Sequence, residues 1–182
     1  MPKFYTGEGD DGSTGLLGEG RLPKHHLVFE TVGTIDEASA ALGLARSTCR
    51  GDGVVELLEE VQRNLYHCMA EIAATPENAP RFRKIDASCV AWLGAQIEAF
   101  GKTVDQPAEF ILPGDSPSGA AMALARTVIR RAERRVALLL HENSIDNPEL
   151  LRFLNRLSSL CFVLELVENQ AWGKGRPTLA KG

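Results

Sequence analysis

The chain contains no run of about 18 consecutive apolar residues, the length a membrane-spanning helix requires, so no transmembrane span is expected. The opening residues Met1-Pro2-Lys3-Phe4-Tyr5 lack a basic region followed by an apolar one, so no secretory signal is expected either. Cysteine is sparse. Cys49, Cys68, Cys89 and Cys161 lie far apart without a C-x-x-C pair and read as scattered thiols of a protein in the reducing cytoplasm. An excess of positive charge is also missing: the formal net charge is -4, which argues against bulk binding to nucleic acid or to an acidic membrane.

What is present is enough apolar residue for one core: 182 residues, 44% of them hydrophobic, with no internal repeat and nothing that reads as a second domain. Residues 5–24 are Gly-rich and show neither helical nor strand periodicity. Helical patterns follow from Val28 to Thr48 and from Val54 to Thr75, separated by Gly51-Asp52-Gly53. Pro76 to Pro80 is a turn-rich linker. Asp86 is placed to cap a third helix ending near Gly101, and Ser116-Pro117 to start a fourth that runs to His141. Asn147-Pro148 starts a last helix reaching about Asn169. Five helices of bundle length with short connections predict an all-α helical bundle. A single domain is expected, with residues 1–26 as N-terminal segment, 27–170 as bundle and 171–182 as a flexible tail.

The fourth helix is the most informative. Ala125 to Val136 reads A-R-T-V-I-R-R-A-E-R-R-V, five arginines and a glutamate in ten residues. At the helical repeat, Arg126, Arg130 and Glu133 fall within about 60° on one edge. Val128, Ile129, Ala132, Val136, Leu139 and Leu140 form the adjoining apolar arc. Charge at the border of a packing stripe needs a carboxylate or phosphate partner, which makes this edge a candidate anion site. Glu133 can orient Arg130, whereas Arg131 and Arg135 point elsewhere and read as solvated.

Three further segments carry polar chemistry. From Tyr5 to Lys24, the glycines Gly7, Gly9, Gly12 and Gly15 allow successive N–H groups to face one concavity. Thr6, Ser13 and Thr14 add hydroxyls, Arg21 and Lys24 add positive charge, and Asp10 and Asp11 could hold Mg2+ through its waters. A plain flexible arm is the competing reading. Phe110-Ile111-Leu112-Pro113-Gly114 is either a plug on the bundle end or a contact for an apolar ligand. Asn155 and Ser158 are i, i+3 neighbours able to bind a polar ligand or to hydrogen-bond between helices. His25-His26 has no third ligand at useful spacing and reads as surface. Gly101-Lys102-Thr103 is not the end of a Walker loop, because Gln96 stands at the first glycine.

Together these segments resemble the PduO-type ATP:cob(I)alamin adenosyltransferases. That family shows a T-G-D-x-G-x-T-G-L-type loop ending in R-V-x-K and an E-x-x-G-x-x-D-E-L-type first helix. An F-x-L-P-G loop, an A-R-x-x-x-R-R-A-E-R-R helix and an N-R-L-S-D segment follow. The matching stretches here are Gly9 to Leu16 with Arg21 and Lys24, Glu30 to Glu37, Phe110 to Gly114, Arg126 to Arg135, and Asn155-Arg156-Leu157-Ser158. Order and spacing agree from Tyr5 to Asn169.

The resemblance implies a ferritin-like up-and-down five-helix bundle that assembles as a homotrimer with sites between subunits. It implies transfer of the 5′-deoxyadenosyl group of ATP to the cobalt of cob(I)alamin, with ATP, Mg2+ and the corrinoid cobalamin as ligands. Thr6, Gly9, Asp10, Gly12, Ser13, Thr14 and Lys24 would wrap the triphosphate, with Arg130, Glu133 and Asn155 as further nucleotide contacts. Asp36 would pair with Arg126 across the interface, and Phe110 would lie beneath the corrin ring. A cobalamin reductase and an adenosylcobalamin-dependent enzyme are the implied partners. The alternative is a non-catalytic paralogue of the same fold, an adenosylcobalamin carrier or nucleotide sensor, and a third reading is a helical structural subunit. The chain departs from the family pattern at Glu8 for threonine, Glu19 for glycine, Asp115 for a second glycine and Ser159 for aspartate.

Overall fold

A computed structural model describes residues 4–181; Met1 to Lys3, which carry part of the leader reading, and Gly182 of the tail lie outside the described residues. Two short strands, β1 (Ser13–Gly15) and β2 (Arg21–Pro23), precede α1 (Leu27–Arg46), α2 (Val54–Ile72), the one-turn α3 (Ala79–Phe82), α4 (Ala87–Gly101), α5 (Pro117–His141) and α6 (Pro148–Ala171).

The helix starts follow from local chemistry. Asp86 accepts from the N–H groups of Ser88 and Cys89. Ser116 accepts from Gly119 N with Pro117 in the first turn, and Asn147 accepts from Glu149 N with Pro148 in the same place. Each cap satisfies amides that the helix itself leaves open. On α1, Val28, Thr31, Ile35, Ala38, Leu42 and Ala45 are buried, a stripe repeating every three to four residues that faces the core.

Pairings across the bundle set the helix directions. Gln62 donates to Ser39 O, and Arg46 meets Glu59, so α1 and α2 are antiparallel. At one end of the bundle Glu168 accepts from Arg50 N and Gly51 N; at the other Asn147 donates to Glu71 and to Ile85 O. Arg131 and Arg135 reach back to α1, and Asn155 of α6 reaches Glu133 of α5. The chain therefore alternates in direction: α1, α4 and α6 run one way, α2 and α5 the other. Helix α5 packs between α1 and α6, with α2 beyond α1 and α4 against α6. Ile35, Leu58, Leu65, Met122, Ile129 and Phe153 are fully buried between them. The all-α bundle is the expected fold.

Three local features differ from expectation. The Gly-rich segment contains an antiparallel hairpin, with Thr14 opposite Leu22. Its strands are too short for alternation to register. The one-turn α3 begins inside the turn-rich linker and runs past it to Phe82. The segment from Trp172 to Lys181 is no free end: Leu112 N donates to Thr178 O, and Ala180 N donates to Phe110 O, each at 2.8 Å. The tail lies as an extra edge along the Phe110 loop.

Candidate functional site

The N-terminal loop closes on Lys24. Gly12 O accepts from Lys24 N at 2.9 Å, and Gly12 takes the left-handed φ of 80° that lets the chain turn there. A Cβ on Gly9 would lie 2.9 Å from the Lys24 ammonium, so the absence of a side chain makes room for that cation against the backbone. Arg21 is spent on the loop itself: it donates to Glu8 O, Ser13 O and Ser13 Oγ, and it lies 3.8 Å from Asp11. Asp11 accepts from Ser13 N and Oγ, bonds that hold its carboxyl below the usual range. Asp10 and Thr6 are exposed, and Thr14 is fixed in β1. The loop is anchored just past the end of α2, where Leu17 N donates to Ala73 O and Leu17 O accepts from Thr75 N. At Gly18, with φ of 147°, a Cβ would collide with Thr75 and Asn78.

A second cluster bridges α5 and α6. Asn155 Nδ2 donates to Glu133 Oε1 at 3.0 Å, and Arg130 lies 3.6 Å from Glu133 Oε2. The Arg130 side chain is 51% exposed while Glu133 is only 15% exposed, so the carboxylate holds the base of a guanidinium whose face is open. Ser158 donates to the Asn155 carbonyl of its own helix, so it does not join Asn155 in presenting side-chain groups.

Arg126 belongs to a third place. It lines a groove of about 480 Å³ with Arg130, Ser158, Ser159 and Phe162. It also lines a second groove of about 360 Å³ with Phe110, Phe162 and Glu165. Its Nε is buried without a hydrogen-bond partner. Asp36 is exposed on α1 and does not meet Arg126 within the protomer. Phe110 is 89% exposed, so it is no plug on the bundle end. Its loop is braced from behind, because Thr178 donates its N–H and hydroxyl to Asp115 at 2.8 and 2.7 Å. Those two bonds hold the Asp115 carboxyl below the usual range, so the departure at this position is matched by the tail.

Arg131 and Arg135 are more than solvated charge: both pair with α1, although Arg131 stays exposed. Arg131 pairs with Glu37. Arg135 pairs with Glu30 at 2.9 Å and donates to Thr34 Oγ1 at 2.6 Å, fastening α5 to α1. His26, read as surface, accepts from Val28 N and caps α1.

Three buried carboxylates escaped the sequence reading, Glu71 with its partners Arg83 and Asn147 being the first. Glu168 accepts from Arg50 N, Gly51 N and Ser118 Oγ, tying three segments at one bundle end. Glu165, 2% exposed, has an oxygen without a partner, and burial pushes its carboxyl up to about 7 against the pull of Arg126. For Glu165 and Glu168 the signal was their placement: Glu165 interrupts the apolar run from Cys161 to Val167, and Glu168 follows it directly.

One protomer thus gathers its predicted residues into separate groups. The loop from Thr6 to Lys24 forms one, Arg130 with Glu133 and Asn155 a second, and Arg126 with Phe110 a third. The grooves lined by Arg126 and Arg130 include none of the loop residues and not Asp36.

Comparison with known proteins bears on what these groups serve. A family model described as cobalamin adenosyltransferase matches residues 4–168. A corrinoid adenosyltransferase of Bacillus subtilis (strain 168) is 38% identical over 178 residues, covering 95% of this chain and 90% of the relative. The corrinoid adenosyltransferase PduO of Citrobacter freundii is 38% identical over 91% of this chain, which spans only 50% of that longer protein. A Phe-to-His variant of a PduO-type ATP:corrinoid adenosyltransferase from Lactobacillus reuteri, complexed with cobalamin and ATP, matches with a TM-score of 0.89. The identity is 30%, and the match covers 99% of this chain and 97% of that one. An Arg-to-Lys variant from the same organism, complexed with ATP, gives a TM-score of 0.88 at 29% identity, over 98% of this chain and 100% of that one.

Proposed function

This chain belongs to the cobalamin adenosyltransferase family, and from that membership we propose that it transfers the 5′-deoxyadenosyl group of ATP to cob(I)alamin. The cobalt nucleophile attacks the 5′ carbon, the carbon–oxygen bond to triphosphate breaks, and adenosylcobalamin forms. No proton moves at the reacting carbon, so no general base is required. The leaving triphosphate needs fixed positive donors, and Arg130 and Lys24 supply them.

The observation that carries the site is the Arg130–Glu133–Asn155 cluster. Asn155 fixes Glu133, Glu133 orients Arg130, and the exposed guanidinium is left free for an anion. The active site is completed between subunits of a homotrimer. Asp36 of one protomer pairs with Arg126 of the next, and the N-terminal loop of one faces the Arg130 cluster of the other. In support, Asp36 is exposed, Arg126 Nε lacks a partner, and Leu124 and Leu138 lie open on α5. An open apolar face on the central helix suits an interface.

Mg2+ accompanies ATP in this reading. Among the described residues no three His, Cys, Asp or Glu side chains gather around one point, so the protein offers single carboxylates to an ion held chiefly by phosphate oxygens. Asp10 is the exposed carboxylate available for that role, Asp11 being engaged by Ser13. Phe110 occupies the space below the corrin ring and keeps water and base from the metal, which favours reduction of cob(II)alamin. Among the described residues no helix is long and apolar enough to cross a membrane. The free thiols of Cys49, Cys68, Cys89 and Cys161 suit the cytoplasm, where a cobalamin reductase would deliver the electron and an adenosylcobalamin-dependent enzyme would take the product.

The test is incubation with ATP, Mg2+ and chemically reduced cobalamin in the dark. A light-sensitive adenosyl product is expected. Tight corrinoid binding without turnover would favour a carrier instead, and sedimentation of a monomer under saturating ligands would end the intersubunit assignment.

A further inference from the structure

Four buried side-chain atoms lack a hydrogen-bond partner among the described residues, and two of them belong to one groove: Arg126 Nε and Glu165 Oε1. The first is a donor and the second an acceptor. They do not satisfy each other, since no hydrogen bond or ion pair joins them. Unpaired buried groups of opposite sense beside one opening are complementary to a ligand group that both accepts and donates. A carboxylate would satisfy the guanidinium but bring no donor to the partnerless Glu165 oxygen. An ammonium would do the reverse. A primary carboxamide fits both, with its carbonyl towards Arg126 and its N–H towards Glu165.

The wall of the same groove narrows the class further. Phe110 stands exposed at its rim, with Ile111, Pro113 and Phe162 beside it. An apolar, aromatic rim around a polar floor suits a broad, flat ligand with amides on its edge, and a corrin ring carries such carboxamides around its periphery. Glu165 is held in place by the fold: it sits on α6 and is 2% exposed.

We propose that Glu165 is a specificity-determining residue that, with Arg126 Nε, reads a peripheral carboxamide of the corrin ring and selects amidated corrinoids over their carboxylate counterparts. This rests on the corrinoid reading above and extends it to a residue outside the nucleotide contacts. Arg126 keeps its terminal nitrogens for Asp36 of the neighbouring subunit and uses only its inward Nε here.

The experiment compares equilibrium binding of two probes, cobinamide, whose ring side chains are amides, and cobyrinic acid, whose ring side chains are carboxylates. The full-length protein is used with ATP present, and the corrin absorbance is followed. Wild type binds cobinamide more tightly. In Glu165→Gln the ratio of the two affinities falls at least tenfold, because a glutamine amide can pair with a carboxylate. Glu109 lines the same groove and is exposed, so Glu109→Gln removes an equal charge nearby without removing the contact, and its ratio stays at the wild-type value. Glu165→Leu, which keeps bulk and loses both hydrogen-bonding senses, also shows a collapsed ratio. An unchanged ratio in Glu165→Gln, or an equal fall in Glu109→Gln, overturns the proposal. Failure of wild type to bind either probe would instead remove the corrinoid reading on which it stands.

Discussion

Asn155 of α6 donates to Glu133 of α5 at 3.0 Å, a single contact between helices that holds the carboxylate on which Arg130 depends. The three residues are one unit: an amide fixes an acid, and the acid fixes a guanidinium. Arg130→Ala is therefore expected to lose about 1.5–3 kcal/mol of interaction with the nucleotide, the range for a hydrogen bond to a charged group. ATP affinity and kcat/KM measured together test this, and a variant with both values unchanged would remove Arg130 from the site.

Phe110→Ala should leave ATP binding largely intact and slow adenosylation when the reaction starts from cob(II)alamin. The side chain is exposed on a braced loop, so its loss disturbs little of the core. Electron paramagnetic resonance of the cob(II)alamin complex reads the outcome directly. A four-coordinate cobalt signal equal to wild type would show that another group excludes the lower ligand.

Glu168 is fully buried and accepts from two backbone N–H groups and one hydroxyl. Glu168→Ala strands all three donors and should destabilise the protein by about 3–5 kcal/mol. Glu168→Gln keeps an acceptor and should cost clearly less. Urea unfolding of both variants is the measurement, and equal midpoints for Ala and Gln would contradict the account.

Burial raises the Glu165 carboxyl from 4.5 to about 7, with Asp115 adding to the rise and Arg126 opposing it. Between those values the folded protein holds a proton that the unfolded chain has released. Stability therefore falls as pH rises through that window and is level above it. Allowing for partial hydration at the groove wall, wild type should lose about 1–2 kcal/mol from pH 5 to pH 8 relative to Glu165→Gln. Parallel stability profiles for the two proteins would show that the carboxyl titrates normally.

Much of this architecture was legible because it is written locally. Asp86, Ser116-Pro117 and Asn147-Pro148 cap helices where their spacing placed them, and the stripe from Val128 to Leu139 is buried as its period required. The arginine edge was legible only in part: Arg130 with Glu133 came from helical spacing, but the engagement of Arg131 and Arg135 with α1 depends on a helix about 100 residues earlier. The hairpin escaped because its strands of three residues are set by Arg21 and Lys24 rather than by alternation. The role of the tail escaped for a similar reason, since Asp115 and Thr178 are 63 residues apart and nothing near either one predicts the other. Pairing of Asp36 with Arg126 was carried by family resemblance alone, and one protomer keeps the two apart.

The strand-like contact between Ile111 and Leu179 makes the aromatic loop depend on a distant stretch of chain. Helix α5 packs on α1 and α6 without residues 178–180, yet among the described residues the loop has no backbone edge to rest on except theirs. Pulling that stretch away, by trimming or by a bulky attachment, would leave the N–H of Leu112 and the carbonyl of Phe110 without partners while the helices stay packed.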